Sequence, residues 1–217
     1  KNVPQLYPGS LGIERDYYLK DDEDSKKIKA AYIKHVARMF GFIGKTAEEA
    51  SALADQVVKV ETQLAAARLD KVARRDPAKR YNPKSTEELS EITTSITWPK
   101  YFSAIGAEGI DTVVLTDLGY FSSLDEVMKN NSVEDIKAYL WWTLIDGTAS
   151  RLSMEMDRAN WDFYSKTLRG AIAQEPLEQR SIRTVNWTLG EALGKLYVAQ
   201  KFPPQAKAQM KELVGNL

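Results

Sequence analysis

Cysteine is absent from the 217 residues, and histidine occurs once, as His35. The first absence removes disulfides, thiolate metal ligands and a cysteine nucleophile together, while leaving the compartment open. The second leaves a single imidazole, whereas a catalytic zinc takes about three protein ligands, commonly with two histidines one helical turn apart. No metal site is expected from these residues alone, and His35, near the apolar side of a helix, reads as a core or boundary histidine with one hydrogen bond. Neither charge is in excess: 30 Lys and Arg balance 30 Asp and Glu. The chain therefore lacks the basic surplus that phosphate backbones favour, and any basic patch must be local. No apolar run approaches the roughly 20 residues needed to cross a bilayer. Only 12 Gly and 8 Pro, with 43% hydrophobic and 28% charged residues, exclude a disordered or fibrous chain. The length supports a substantial core. The sequence begins Lys1-Asn2-Val3 without Met or a signal-peptide pattern, which suggests a piece of a larger polypeptide.

Local catalytic signatures are missing as well. There is no G-x-S-x-G elbow, no phosphate loop, and no G-x-G-x-x-G following a strand. Glu155 with Asp157 and Glu108 with Asp111 are nominal carboxylate pairs for acid and base work. Among 30 acids such neighbours are unavoidable, so they read as solvated surface groups.

What is present is helical patterning. Ile28, Ala31, Tyr32, His35, Val36 and Met39 recur at steps of three and four, predicting a helix over 25–40 that stops near Gly41 and Gly44. Thr46 and Glu49 have capping-box spacing ahead of a long Ala-rich helix reaching about Leu69, and Ser85 with Glu88 repeat it. Pro99 and Gly106 bracket a short helix. The stretch 112–116, TVVLT, is the best strand candidate. Leu124 to Lys129 predicts a turn or two, and Ser132 with Asp135 cap a helix from Val133 that extends to Leu168. That helix carries apolar residues on more than one face (Ile136, Leu140 and Leu144; Tyr139, Trp142, Ile145 and Leu152) and is expected to be central and largely buried. Residues 178–200 form another helix, and Pro203-Pro204 introduce the last. The expected fold is mostly α, a multi-helix domain with long central helices and at most a short strand or hairpin.

The densest basic segment is RRDPAKRYNP, residues 74–83. With Arg68, Lys71 and Lys84 nearby and Tyr81 as a stacking face, it has ingredients of a single-strand binding groove. Cations at the end of a long helix also complement its dipole, and Asp-Pro followed by Asn-Pro makes successive turns. The second reading is preferred, and no nucleic-acid partner is expected.

Taken in order, LGIERDYYL (11–19), ETQLAAARLDKVARRDPAKRYNPKSTEEL (61–89), WPKYF (98–102) and RTVNWTLGEALGKLYVAQKF (183–202) resemble the N-terminal region of the neprilysin and endothelin-converting-enzyme family of zinc metallopeptidases. Ile13-Glu14 precede Arg15 where that family commonly has Leu-Pro and one further residue. The absence of the vertebrate cysteines makes the bacterial oligopeptidase branch the nearest resemblance. The resemblance implies that residues 1–217 are a single helical lid portion of a larger enzyme, covering the active-site cavity and limiting substrate size. The zinc motif H-E-x-x-H, the E-x-x-x-D ligand motif and the Asn-Ala-x-Tyr stretch of such enzymes lie beyond the matched region. No catalytic, cofactor-binding or metal-binding residue is therefore assigned here; zinc belongs to the parent enzyme, and this piece is expected to be inactive alone. The implied partners are the catalytic domain of the same polypeptide and peptides of limited size. The resemblance favours an extracytoplasmic location, periplasmic or secreted, with the bacterial cytoplasm left open. The alternative is a stand-alone helical binding module without catalysis. Within the 74–83 stretch, Asp76 and Asn82 are expected to hold turns, leaving the arginines for ion pairs or a cavity rim.

Overall fold

A computed structural model describes residues 3–216, which fall into two compact units, one up to Gly170 and one from Ala171 onwards. The first is organised around one long helix, α3 (Ala47–Ala67). Preceding it are β1 (Gln5–Leu6), α1 (Arg15–Leu19) and α2 (Glu23–Phe42). Thr46 caps α3 as its spacing predicts: its side chain accepts from the Glu49 N–H, and the Glu49 carboxylate accepts from the Thr46 N–H. Two adjoining stripes then run along the helix. Ala54, Val57, Val58 and Ala65 join Tyr32, Val36, Met39 and Phe40 of α2 in one apolar cluster, while Val60 and Leu64 enter a second. Thus α3 is shared by both halves of the core, which explains why small and β-branched residues dominate it.

After α3 come a 3-10 turn (Ala73–Arg75), α4 (Pro77–Arg80), β2 (Asn82–Ser85), α5 (Thr86–Ile92) and α6 (Trp98–Ala104). The strand read at 112–116 is β3 (Thr112–Leu115). It is the middle of a three-stranded sheet of order β1-β3-β2, parallel to β1 and antiparallel to β2. Val113, Val114 and Leu115 are all buried, as a central strand requires. Neither flanking strand is signalled in the sequence, because β1 has two residues and β2 carries Pro83, which an edge strand tolerates. The mostly α expectation stands with this small sheet added.

The helix expected over 133–168 is interrupted. α7 (Leu118–Lys129) precedes α8 (Val133–Thr148), which ends in a 3-10 turn (Ala149–Arg151). Leu152 is extended, and α9 (Met154–Trp161) begins after Ser153, whose side chain accepts from the Met156 N–H, before running into a π-helical turn (Asp162–Thr167). A serine that caps a new start competes with helix continuation. The expected burial is also corrected: Ala138, Trp142 and Ile145 are buried, whereas Leu140, Trp141 and Leu144 are exposed. Only one face of α8 meets the core, the one packed on α3.

The second unit contains α10 (Leu177–Lys201) and α11 (Pro204–Gly215), close to the predicted bounds. Neither contains a buried residue, although α10 carries Val185, Leu189, Leu193, Leu196 and Tyr197. The Glu175 backbone and side chain receive Arg180 Nε and Arg183 Nη2 respectively, bracing the first turns of α10.

Candidate functional site

The most deeply buried carboxylate is Glu61, 1% exposed on the inner face of α3. Its Oε2 accepts hydroxyl hydrogen bonds from Tyr18 and Tyr32, each 2.8 Å, and its Oε1 accepts the Gly12 N–H at 3.1 Å. Trp142 Nε1 donates to the Tyr32 hydroxyl at 2.6 Å, so one carboxylate joins the 9–13 loop, α1, α2, α3 and α8. The loop can approach this closely only because residue 12 is glycine: a Cβ there would lie 1.8 Å from the Tyr32 hydroxyl oxygen. Burial pushes the Glu61 carboxyl up to about 7, against the opposing effect of its tyrosine hydrogen bonds. A cavity of about 380 Å³ is lined by Glu61, Trp142, Tyr139 and Asp146, and burial pushes Asp146 up to about 6. Sequence reasoning passed over Glu61, although a carboxylate between Val57, Val58, Leu64 and Ala65 on an otherwise apolar stripe was a signal for it.

His35 is a core residue, as read, and its Nε2 is buried without a hydrogen-bond partner. Its ring stacks on Phe163 at 4.7 Å and meets Trp142 edge-on at 5.7 Å. Burial lowers its pKa to about 4, so it is neutral at neutral pH. The nominal acid pairs are not brought together as sites. Glu155 is exposed in the first turn of α9, where Asp157 is half-buried; Glu108 is exposed and accepts from Ser103 Oγ; Asp111 is exposed in a loop.

The basic stretch folds as two tight turns. Asp70 Oδ1 accepts from the Val72 and Ala73 N–H groups, and Asp76 Oδ1 from the Ala78 N–H. Asn82 Nδ2 donates to the Lys79 and Leu115 carbonyls, tying the turns to β3. Asp76 and Asn82 therefore hold turns, as expected. The arginines between them rim a cleft of about 510 Å³, lined by Arg68, Lys71, Arg74, Arg75, Arg80 and Glu14, with Asp117 at its inner wall.

Among the described residues, no group of three or more His, Cys, Asp or Glu side chains is placed to hold a metal ion. The single histidine is enclosed by aromatic rings, so these residues do not fit a catalytic zinc. No described helix is long and apolar enough to cross a membrane.

Comparison with known proteins places this geometry. Human endothelin-converting enzyme-like 1 is 28% identical over 209 residues, covering 94% of this chain and 27% of its own length. The Mycobacterium tuberculosis zinc metalloprotease Zmp1 in its open state is 31% identical and superposes with a TM-score of 0.89, covering 98% of this chain and 33% of that one. A partially open state of the same enzyme, at 30% identity, gives 0.81 over 99% of this chain and 33% of that one. The chain thus spans about a third or less of the length of these relatives. The N-terminal profile of Peptidase family M13 matches residues 1–217 throughout. With the resemblance carried by 11–19, 61–89, 98–102 and 183–202 extended over the whole chain, the protein belongs to peptidase family M13, as its N-terminal region.

Proposed function

We propose that this chain is the lid portion of a neprilysin-like zinc metalloendopeptidase, covering the active-site cavity and limiting the size of peptides that enter. Its partner is the catalytic part of the same polypeptide, which holds the zinc and performs peptide-bond hydrolysis. Enclosing a cleft retains short peptides and excludes folded proteins without sequence-specific contacts. The observation that carries this reading is the coverage: an M13 match along the whole chain that accounts for only a third of a zinc metalloprotease solved in open and partially open states. Support comes from the apolar faces left open, on α8 at Leu140, Trp141 and Leu144 and on α10 along its length. Patches of this kind mark surfaces that another part of a protein covers.

The test compares the chain with the full-length protein on fluorogenic peptides of increasing length and on a folded protein substrate. The chain alone should cleave nothing, with or without added zinc. The full-length protein should cleave short peptides and spare the folded protein. Chelator-sensitive hydrolysis that scales with the concentration of the chain alone would overturn the assignment, as would a full-length protein that digests folded substrates as readily as peptides.

A further inference from the structure

Several cations of the first unit have ion-pair or carbonyl partners. Arg15 Nε donates to the Ala65 and Arg68 carbonyls at the end of α3, Arg38 and Arg158 both reach Asp162, and Lys59 pairs with Asp135. The cleft behind the 70–80 turns is different. Lys71, Arg75 and Arg80 make no ion pair within 4 Å among the described residues, and Arg74 only approaches Glu14, at 3.9 Å. Of the two acids lining the cleft, Asp117 is committed, accepting the Leu69 N–H at 2.8 Å and the Tyr120 N–H at 3.1 Å. Behind them lies Arg68, its guanidinium carbon 5.6 Å from the centre of the Tyr120 ring. Its Nε and Nη2 are buried without a hydrogen-bond partner. Such nitrogens carry a desolvation cost that a protein seldom leaves uncompensated. Burial correspondingly lowers the pKa of Arg68. A second cavity, of about 380 Å³, shares Glu14, Arg68 and Arg74 with the first, so Arg68 lines both.

We propose that this cleft, formed by Arg68 with Lys71, Arg74, Arg75 and Arg80, is a binding site for a small multivalent oxyanion of the phosphate type. Guanidinium groups present paired N–H donors that match phosphate oxygens, and Arg74, Arg75 and Arg80 line the cleft at exposed positions. The dimensions suit a small molecule, since a cavity of about 510 Å³ lies in the range of ligand pockets. A polynucleotide fits less well: its affinity needs an extended charged track, and the chain as a whole has no basic excess. The proposal is independent of the peptidase reading and holds whether or not the cleft communicates with an active site.

The test is calorimetric titration of the full-length protein with inorganic phosphate and with pyrophosphate, at constant ionic strength set by chloride. Saturable binding is expected, tighter for pyrophosphate. Arg75→Ala and Arg80→Ala, both at exposed positions, should each weaken it by roughly tenfold or more, as expected for loss of a charge-assisted hydrogen bond. Arg68→Met should abolish it, and Arg38→Ala, outside the cleft, should leave it unchanged. If Arg68→Met unfolds the protein, the two exposed variants still decide the matter. The proposal falls if neither anion saturates. It also falls if binding survives Arg75→Ala and Arg80→Ala, or if a glutamate-rich peptide binds where both phosphates fail.

Discussion

Helices α3 and α10 are both long and both carry a continuous apolar stripe, yet their fates differ. Eight residues of α3 are buried, including a carboxylate, whereas none of α10 is. Amphipathic periodicity states which face of a helix must be covered; it does not state that the cover lies in the same stretch of sequence. In α3 the cover is α1, α2, α7 and α8. In α10, Leu189, Leu193 and Leu196 face solvent.

If that contrast is real, α3 should be intolerant of change in the chain alone and α10 indifferent. The largest effect is expected at Glu61. Glu61→Ala leaves the Tyr18 and Tyr32 hydroxyls and the Gly12 N–H without their acceptor in the core and opens a cavity, so denaturant unfolding should show a loss of about 3–5 kcal/mol. Gly12→Ala should cost a comparable amount by driving the Tyr32 hydroxyl off the carboxylate. A loss below about 1 kcal/mol for both would show that the hub does not hold these segments together.

A second effect separates the charge of Glu61 from its shape. Its carboxyl titrates at about 7 in the folded protein against 4.5 for the ordinary side chain. The folded state therefore holds a proton that the unfolded state has released, so this contribution is complete below pH 4.5 and is lost as pH rises through about 7. Two neighbours titrate nearby: Asp146, raised to about 6, has the same sign, and His35, lowered to about 4, has the opposite one. The informative quantity is thus the difference between wild type and Glu61→Gln. Relative to that variant, the wild type should lose about 3 kcal/mol between pH 4.5 and 7, since each tenfold change in proton affinity is worth about 1.4 kcal/mol. Parallel stability profiles for the two proteins would remove the buried-carboxyl interpretation.

For α10 the expected effect depends on what surrounds it. Leu189→Ala and Leu193→Ala should change the stability of the chain alone by under about 0.5 kcal/mol, as surface substitutions do. In the full-length protein each should cost about 2–3 kcal/mol, the value of a covered leucine. Equal, small effects in both settings would mean that α10 is an exposed helix by nature and would remove one support for the lid reading.

What could be read in advance follows the range of the interaction. All three capping boxes, Thr46 with Glu49, Ser85 with Glu88 and Ser132 with Asp135, form with both halves, because each depends on four consecutive residues. β3 was legible because burial on both sides selects β-branched residues, whereas β1 and β2 exist only by pairing with it across the chain. The break after Thr148 was hidden by apolar residues that continue the helical spacing on either side of Ser153. The basic cleft was half legible. Its arginines and turn-forming Asp76 and Asn82 stand in the sequence, but their assembly with Arg68 and Glu14 around one cavity is a tertiary fact. Glu61 was the costliest omission, because an acid on a helix reads as solvent-facing until its tyrosine partners are located.

The smallest effect sharpens the comparison at the helix starts. α3 begins with a complete box, whereas α10 begins at Pro176 with no side-chain cap. A helix that nucleates within its own core profits from local start signals, since the first turn is the unfavourable step. Thr46→Ala should therefore destabilise the chain by about 1 kcal/mol and speed hydrogen exchange at Glu48 to Ala50, because the Glu49 N–H loses its acceptor. Glu49→Gln should cost less, since the amide still accepts from the Thr46 N–H. If Thr46→Ala is neutral while the Glu61 substitutions are severe, α3 is held entirely by tertiary contacts. Its difference from α10 then lies wholly in what packs against it.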